Sequence, residues 1–93
     1  MEHWMLQEAV DRIRRMERCF DALLLAESED PAAIREDASL REQLQILLQY
    51  YEGGHWLRDY ELDEQGLLPP DLKRGVLSQD AVHDYLDQHK WTD

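Results

Sequence analysis

The sequence predicts an all-α protein: a long antiparallel helix hairpin, an irregular segment with short helices, and a C-terminal helix. Together these make a small three- to four-helix bundle. Three observations carry the prediction. Apolar residues recur at spacings of three and four from Leu6 to Leu23. Helix-start signals stand at Asp30-Pro31 and at Ser78. All four glycines and two of the three prolines lie together in the stretch from Tyr50 to Leu86.

The first element is predicted over residues 4–26. Leu6, Ala9, Ile13, Met16, Phe20 and Leu23 form its apolar stripe, and Val10 and Leu24 widen it. Asp11, Arg12, Arg14, Arg15 and Arg18 fall on other faces. The link ESEDP follows. Asp30 suits an N-cap and Pro31 the first helical position, so a second helix should begin there. Its early part, AAIREDAS, is weakly amphipathic and can form a separate turn. From Leu40 the pattern strengthens, with Leu44, Leu47, Leu48 and Tyr51 on one face. Gly53 and Gly54 supply a left-handed stop. Two helices joined by a short polar link should pack antiparallel.

HWLRDYEL, residues 55–62, reads as one or two helical turns, stopped by Gly66, with Leu67 and Leu68 turning back into the core. PPDLKRG reads as an isolated helical turn. Pro70 suits its first position, Lys73 and Arg74 its negative end, and Gly75 a terminating left-handed position. Ser78 then caps a last helix over about residues 79–89. Leu77 and Val82 form its hydrophobic staple. Ala81, Val82, Tyr85 and Leu86 face the core, and Trp91 is expected to fold back on the bundle.

A length of 93 residues sets one domain, 1–93, as the expectation. The net charge is −11. It divides as −1 over residues 1–25, −8 over 26–64 and −2 over 65–93. Such acidity opposes direct binding to nucleic acid or anionic lipid. It suits a basic protein partner, or serves solubility alone. Cys19 is the only cysteine, which excludes an internal disulfide and fits a reducing, cytoplasmic compartment. The N-terminus lacks the basic and long apolar regions of a signal peptide.

No catalytic motif occurs, so no catalytic, metal-binding or cofactor-binding residue is assigned and no cofactor is expected. A calcium loop starting at Asp59 would need glycine and glutamate where Glu64 and Pro70 stand. His55, Asp59 and Asp63 share a helix face at spacings of four, a pattern common by chance. Cys19, at the edge of the apolar stripe, reads as a small packing residue rather than a nucleophile. The candidate interaction surface comprises Tyr50, Trp56, Asp59, Tyr60, Glu61, Asp63 and Glu64. Within it, Trp56 suits packing together with neighbouring Tyr51, whereas Tyr50 and Tyr60 suit the surface. Arg58 is expected to stack on an aromatic ring or pair with the acids of 59–64, and Lys73 and Arg74 to pair with the same run.

The segments YYEGGHWLRDYELDEQGLLP and LKRGVLSQDAVHDYL resemble a bacterial family of small proteins, the domain-of-unknown-function 4298 family. IRRMERCFDALL is similar to that family's first helix. The resemblance covers nearly the whole chain. It is most specific in LKRGVLSQD and in the pair Trp56 and Asp59. It implies a small, cytoplasmic, mainly helical domain and supplies no reaction, cofactor or partner. It also implies a recurrent unit containing Trp56, Asp59, Glu64, Gly66, Pro69, Lys73, Arg74, Gly75, Ser78 and Asp80, and the candidate structural unit comprises Pro70, Lys73, Arg74, Gly75, Ser78 and Asp80.

The expected role is a non-enzymatic protein–protein interaction module, a monomer or weak homodimer, inhibiting a basic or nucleic-acid-binding partner in its sharpest form. A compact domain of this size would span about 30 Å, over which duplex DNA carries roughly 18 charges. Mimicry would therefore need the acids gathered on one face. The alternative is a small ligand- or metal-binding protein or enzyme with a cleft around Trp56 and Asp59.

Overall fold

Helix α1 runs from His3 to Glu29 in the computed structural model, which describes residues 3–90. At about 1.5 Å per residue it sets the long axis of a body measuring 42 × 21 × 19 Å. The radius of gyration is 13.8 Å, so the molecule is longer than a compact sphere of its size. The predicted stripe is buried: Ala9, Val10, Ile13, Met16, Phe20 and Leu23 all face the core, with Cys19 beside them. Leu24 departs from expectation and stays 42% exposed.

The chain then breaks into two helices. Asp30 accepts a hydrogen bond from the Ala32 amide at 3.0 Å and closes a turn around Pro31. Helix α2 is the short stretch Ala33–Glu36, which buries Ile34. Asp37 is extended, and its carboxylate accepts from the amides of Ser39 and Leu40. That cap starts helix α3, Ala38–Glu52. The weak segment AAIREDAS is thus a separate turn, as its poor amphipathicity allows.

Helix α3 packs back along α1, and the Cys19 thiol donates to the Gln43 carbonyl at 3.1 Å. Leu47 and Tyr50 are its buried residues, and Leu40, Leu44, Leu48 and Tyr51 pack partly against the core. The buried Tyr50 corrects the expectation that it lies at the surface. Position 50 follows Leu47 by three, on the same face, and a polar partner inside the protein receives its hydroxyl.

Gly54, at φ 96°, reverses the chain after α3, and helix α4 begins at once, His55–Glu64. Gly66, at φ 71°, ends α4. The Leu67 amide donates back to the Leu62 carbonyl at 3.1 Å, as in a Schellman closure. Leu68 and Leu72 turn inward, whereas Leu67 remains exposed, against expectation.

PPDLKRG is a simple turn, closed by the Leu72 amide on the Pro69 carbonyl, rather than an isolated helix. Gly75 is not left-handed; it opens a single 3-10 turn, Gly75–Leu77. An added Cβ would sit 3.4 Å from both carboxylate oxygens of Glu17.

Helix α5 spans Gln79–Lys90 and starts from Ser78, whose carbonyl and hydroxyl receive the amides of Val82 and Ala81. Leu77 and Val82 are buried as a staple predicts. Val82, Tyr85 and Leu86 face inward, but Ala81 is exposed. Phe20 meets Tyr85 edge-on at 5.3 Å, and Glu27 meets His89 at 2.7 Å. Helix α5 therefore runs parallel to the second half of α1. The expected packing of Trp91 lies outside the described residues. No helix among the described residues is long and apolar enough to cross a membrane.

At Gly54 a Cβ would meet nothing within 4 Å, so a substitution there acts on the backbone alone. Gly54→Ala should cost about 1–2 kcal/mol, lowering the melting temperature by roughly 4–8 °C per kcal/mol. An unchanged melting curve would contradict the left-handed turn.

Candidate functional site

The predicted surface residues separate into an interior set and an exterior set. Tyr50, Trp56 and Asp59 are buried. Tyr60 and Asp63 are half-buried, and Glu61 and Glu64 are exposed. Tyr50 and Asp59 are therefore corrected from surface to core, whereas Trp56 packs as expected.

Asp59 has no exposed area. It follows Trp56 by three on α4, so both point inward. A lone buried carboxylate would be costly. Here Arg12 of α1 grips it with two bonds, Nε to Oδ2 at 2.9 Å and Nη2 to Oδ1 at 2.5 Å. The Tyr50 hydroxyl donates to Oδ2 at 2.7 Å. One carboxylate thus ties α1, α3 and α4 together. The hydrogen bond to Asp59 pushes the Arg12 guanidinium up, against an opposing effect of burial. Burial first, and Asp59 second, push the Tyr50 phenol far above its ordinary value.

Trp56 donates its indole N–H to the Val76 carbonyl at 2.9 Å. Its ring lies between Tyr51, at 4.9 Å, and Tyr60, stacked at 5.1 Å. The other side of the same residue is held by Glu17, whose Oε1 accepts from the Val76 amide at 2.5 Å. Glu17 is itself only 5% exposed. The peptide groups flanking Val76 are thereby secured by side chains from α1 and α4.

Arg74 organises the irregular segment. It donates to Asp63 at 2.7 Å and to the carbonyls of Leu72 and Pro69 at 2.7 and 2.8 Å. A longer bond reaches the Pro70 carbonyl at 3.4 Å. This is the expected pairing with the 59–64 acids. Lys73 differs: it pairs with Asp21 of α1 at 2.8 Å, because the turn at Pro70 aims it the other way. Asp80 is exposed in the first turn of α5.

The chemical options suggested by the sequence are largely committed elsewhere. His55 is exposed, while Asp59 and Asp63 are paired with arginines. Among the described residues no three His, Cys, Asp or Glu converge as a metal site. Burial pushes the Cys19 thiol up, opposite to what a nucleophile needs. The Glu64 carboxylate beside Tyr60 pushes that phenol up as well.

Sequence reasoning missed Arg12 and Glu17. A signal existed in the helical register. Glu17 lies on the apolar face between Ile13 and Phe20, and Arg12 flanks it between Ala9 and Met16. Charged residues at such positions need a buried partner.

The chain matches the family described as domain of unknown function (DUF4298) over residues 13–92, and it belongs to that family. No curated protein and no solved structure gives a significant match.

Arg12→Ala strands a fully buried carboxylate and should cost about 3–5 kcal/mol in urea unfolding. Asp59→Ala should cost less, since the Arg12 side chain is 20% exposed and can reach water. Replacing both with leucine should recover much of the loss; a double variant no more stable than Arg12→Ala would contradict this.

The raised Tyr50 phenol gives a second expectation. Below pH 10 both folded and unfolded chains hold its proton. Above that pH the unfolded chain releases it and the folded chain does not, so stability falls as pH rises. Tyr50→Phe should remove about 1.4 kcal/mol per pH unit from that alkaline slope. An unaltered slope would argue against a buried, proton-holding phenol.

Proposed function

We propose that the chain is a single helical domain, residues 1–93, that acts without catalysis by docking a basic protein partner. The commitment of Asp59 carries this reading. The residues of the supposed cleft spend their polar groups on one another and on the backbone. The acids that remain outside include Glu61 and Glu64 on α4 and Asp80, Asp84 and Asp87 on α5. An exterior of one dominant sign steers an oppositely charged partner.

A ligand-binding or enzymatic role at Trp56 and Asp59 has less support. It would require Asp59 to leave Arg12 and Tyr50, and Trp56 to leave Val76. Close mimicry of duplex DNA also has less support. Along the 42 Å length of the molecule duplex DNA would carry roughly 25 charges, against a net −11 here. The reading thus favours a basic protein surface over imitation of a nucleic-acid strand. It places the chain in the cytoplasm as a monomer or weak homodimer, with Cys19 a buried thiol.

Affinity purification of the tagged chain from its source organism tests the reading. A basic protein should be recovered, and its recovery should drop between about 0.05 and 0.3 M salt as screening shortens the reach of charge. Salt-insensitive capture, or no specific partner across growth conditions, would overturn it.

A further inference from the structure

The apolar stripe of α1 is wider than the rest of the fold covers. Leu24 belongs to the stripe by spacing yet remains 42% exposed. It stands in an open groove of about 460 Å³ between α1 and α5. Phe20 and Leu24 supply the floor from α1, and Ala81 and Tyr85 supply it from α5. The two helices run parallel here, from Phe20 beside Tyr85 to Glu27 beside His89. The lining spans Glu17 to Glu27 on α1, which at about 1.5 Å per residue is roughly 15 Å, or about three helical turns. The Tyr85 hydroxyl is buried with no hydrogen-bond partner among the described residues.

The rim has one sign. Asp21, Glu27 and Asp84 form the rim, Glu17 lies buried beneath it on the Val76 amide, and among the described side chains no lysine or arginine lines the groove. Lys73 pairs with Asp21, and His89 meets Glu27. A second copy of this chain, at net −11, would bring like charge to that rim. An apolar floor between two parallel helices accepts the ridge of a third helix. An acidic rim selects lysine and arginine on its flanks.

We infer that the groove between α1 and α5 receives a basic amphipathic helix of about three turns from a protein partner, whose apolar residues pack on Phe20, Leu24, Ala81 and Tyr85. This rests on the basic-partner reading and assigns it a place and a shape. The docked helix would complete a bundle in which Leu24 is no longer exposed.

The test uses the full chain and two synthetic peptides of identical leucine and lysine content. One carries leucines at helical spacing with lysines on the flanks. The other is permuted so that no stripe forms. Binding is measured by fluorescence anisotropy at about 0.15 M salt, near physiological strength, and mapped by amide chemical shifts. The striped peptide should bind at least about tenfold tighter, a difference of about 1.4 kcal/mol. Its shifts should cluster at Phe20, Leu24, Ala81, Tyr85 and Gln88.

Leu24→Arg with Ala81→Arg should weaken it at least about tenfold while the melting temperature holds, since both positions are exposed. Should that pair unfold the chain, Asp84→Lys reverses the rim without touching the floor and should weaken binding as well. Equal binding of both peptides, with shifts scattered over the acidic exterior, would overturn the groove and leave the basic-partner reading standing. Undiminished affinity in folded groove variants would overturn it too. Failure of both peptides to bind would remove both readings.

Discussion

The burial of the Asp59 carboxylate constrains the rest of the molecule. A charge with no exposed area cannot be left to itself in a protein interior. Arg12 must therefore lie where its guanidinium meets both oxygens, which fixes α4 against the N-terminal half of α1. Tyr50 must turn inward to supply a third bond, which fixes the rotation of α3. A pair of this kind adds little net stability compared with apolar packing, but breaking it is costly. Its effect is to select one arrangement of three helices over near alternatives. Arg12 keeps a fifth of its side chain in contact with water, which lowers the penalty for burying the pair.

The irregular stretch between α4 and α5 is held by a different means. It has no repeating backbone ladder, so its carbonyls and amides need other partners. Arg74 satisfies the carbonyls of Pro69 and Leu72, while Glu17 and Trp56 take the amide and carbonyl of Val76. A small chain has limited core to spend on positioning such a segment. Side-chain bonds to the backbone place it instead, and Leu68, Leu72, Val76 and Leu77 then bury around those anchors.

These two devices divide the charges of the protein by role. Asp59, Glu17 and Asp63 hold the fold together, with Arg12, the Val76 amide and Arg74 as partners. The exposed acids of α4 and α5 take no part in those contacts and remain at the surface. The wide stripe of α1 divides similarly. Ile13, Phe20 and Leu23 close the core, whereas Leu24 is left in the groove beside α5.

Short-range chemistry made much of the architecture legible. The stripe of α1, the stop at Gly54 and Gly66, and the start of α5 at Ser78 are each properties of a few neighbouring residues. Their outcomes depend on local sterics and hydrogen bonds, so the sequence carries them directly. The candidate site was less legible. Tyr50 and Tyr51 are adjacent and chemically alike, and only the position of Asp59 decides which one turns inward. Gly75 looked like a helix stop but opens a 3-10 turn beside Glu17, 58 positions earlier. Lys73 and Arg74 are neighbours that pair in opposite directions, toward Asp21 and Asp63. The sequence by itself thus determined the stripe of α1, the stops at Gly54 and Gly66, the start of α5 and the excess of acid. Only the tertiary structure decided which charges became internal, because that choice rests on partners far apart in the chain that folding brings within hydrogen-bond reach.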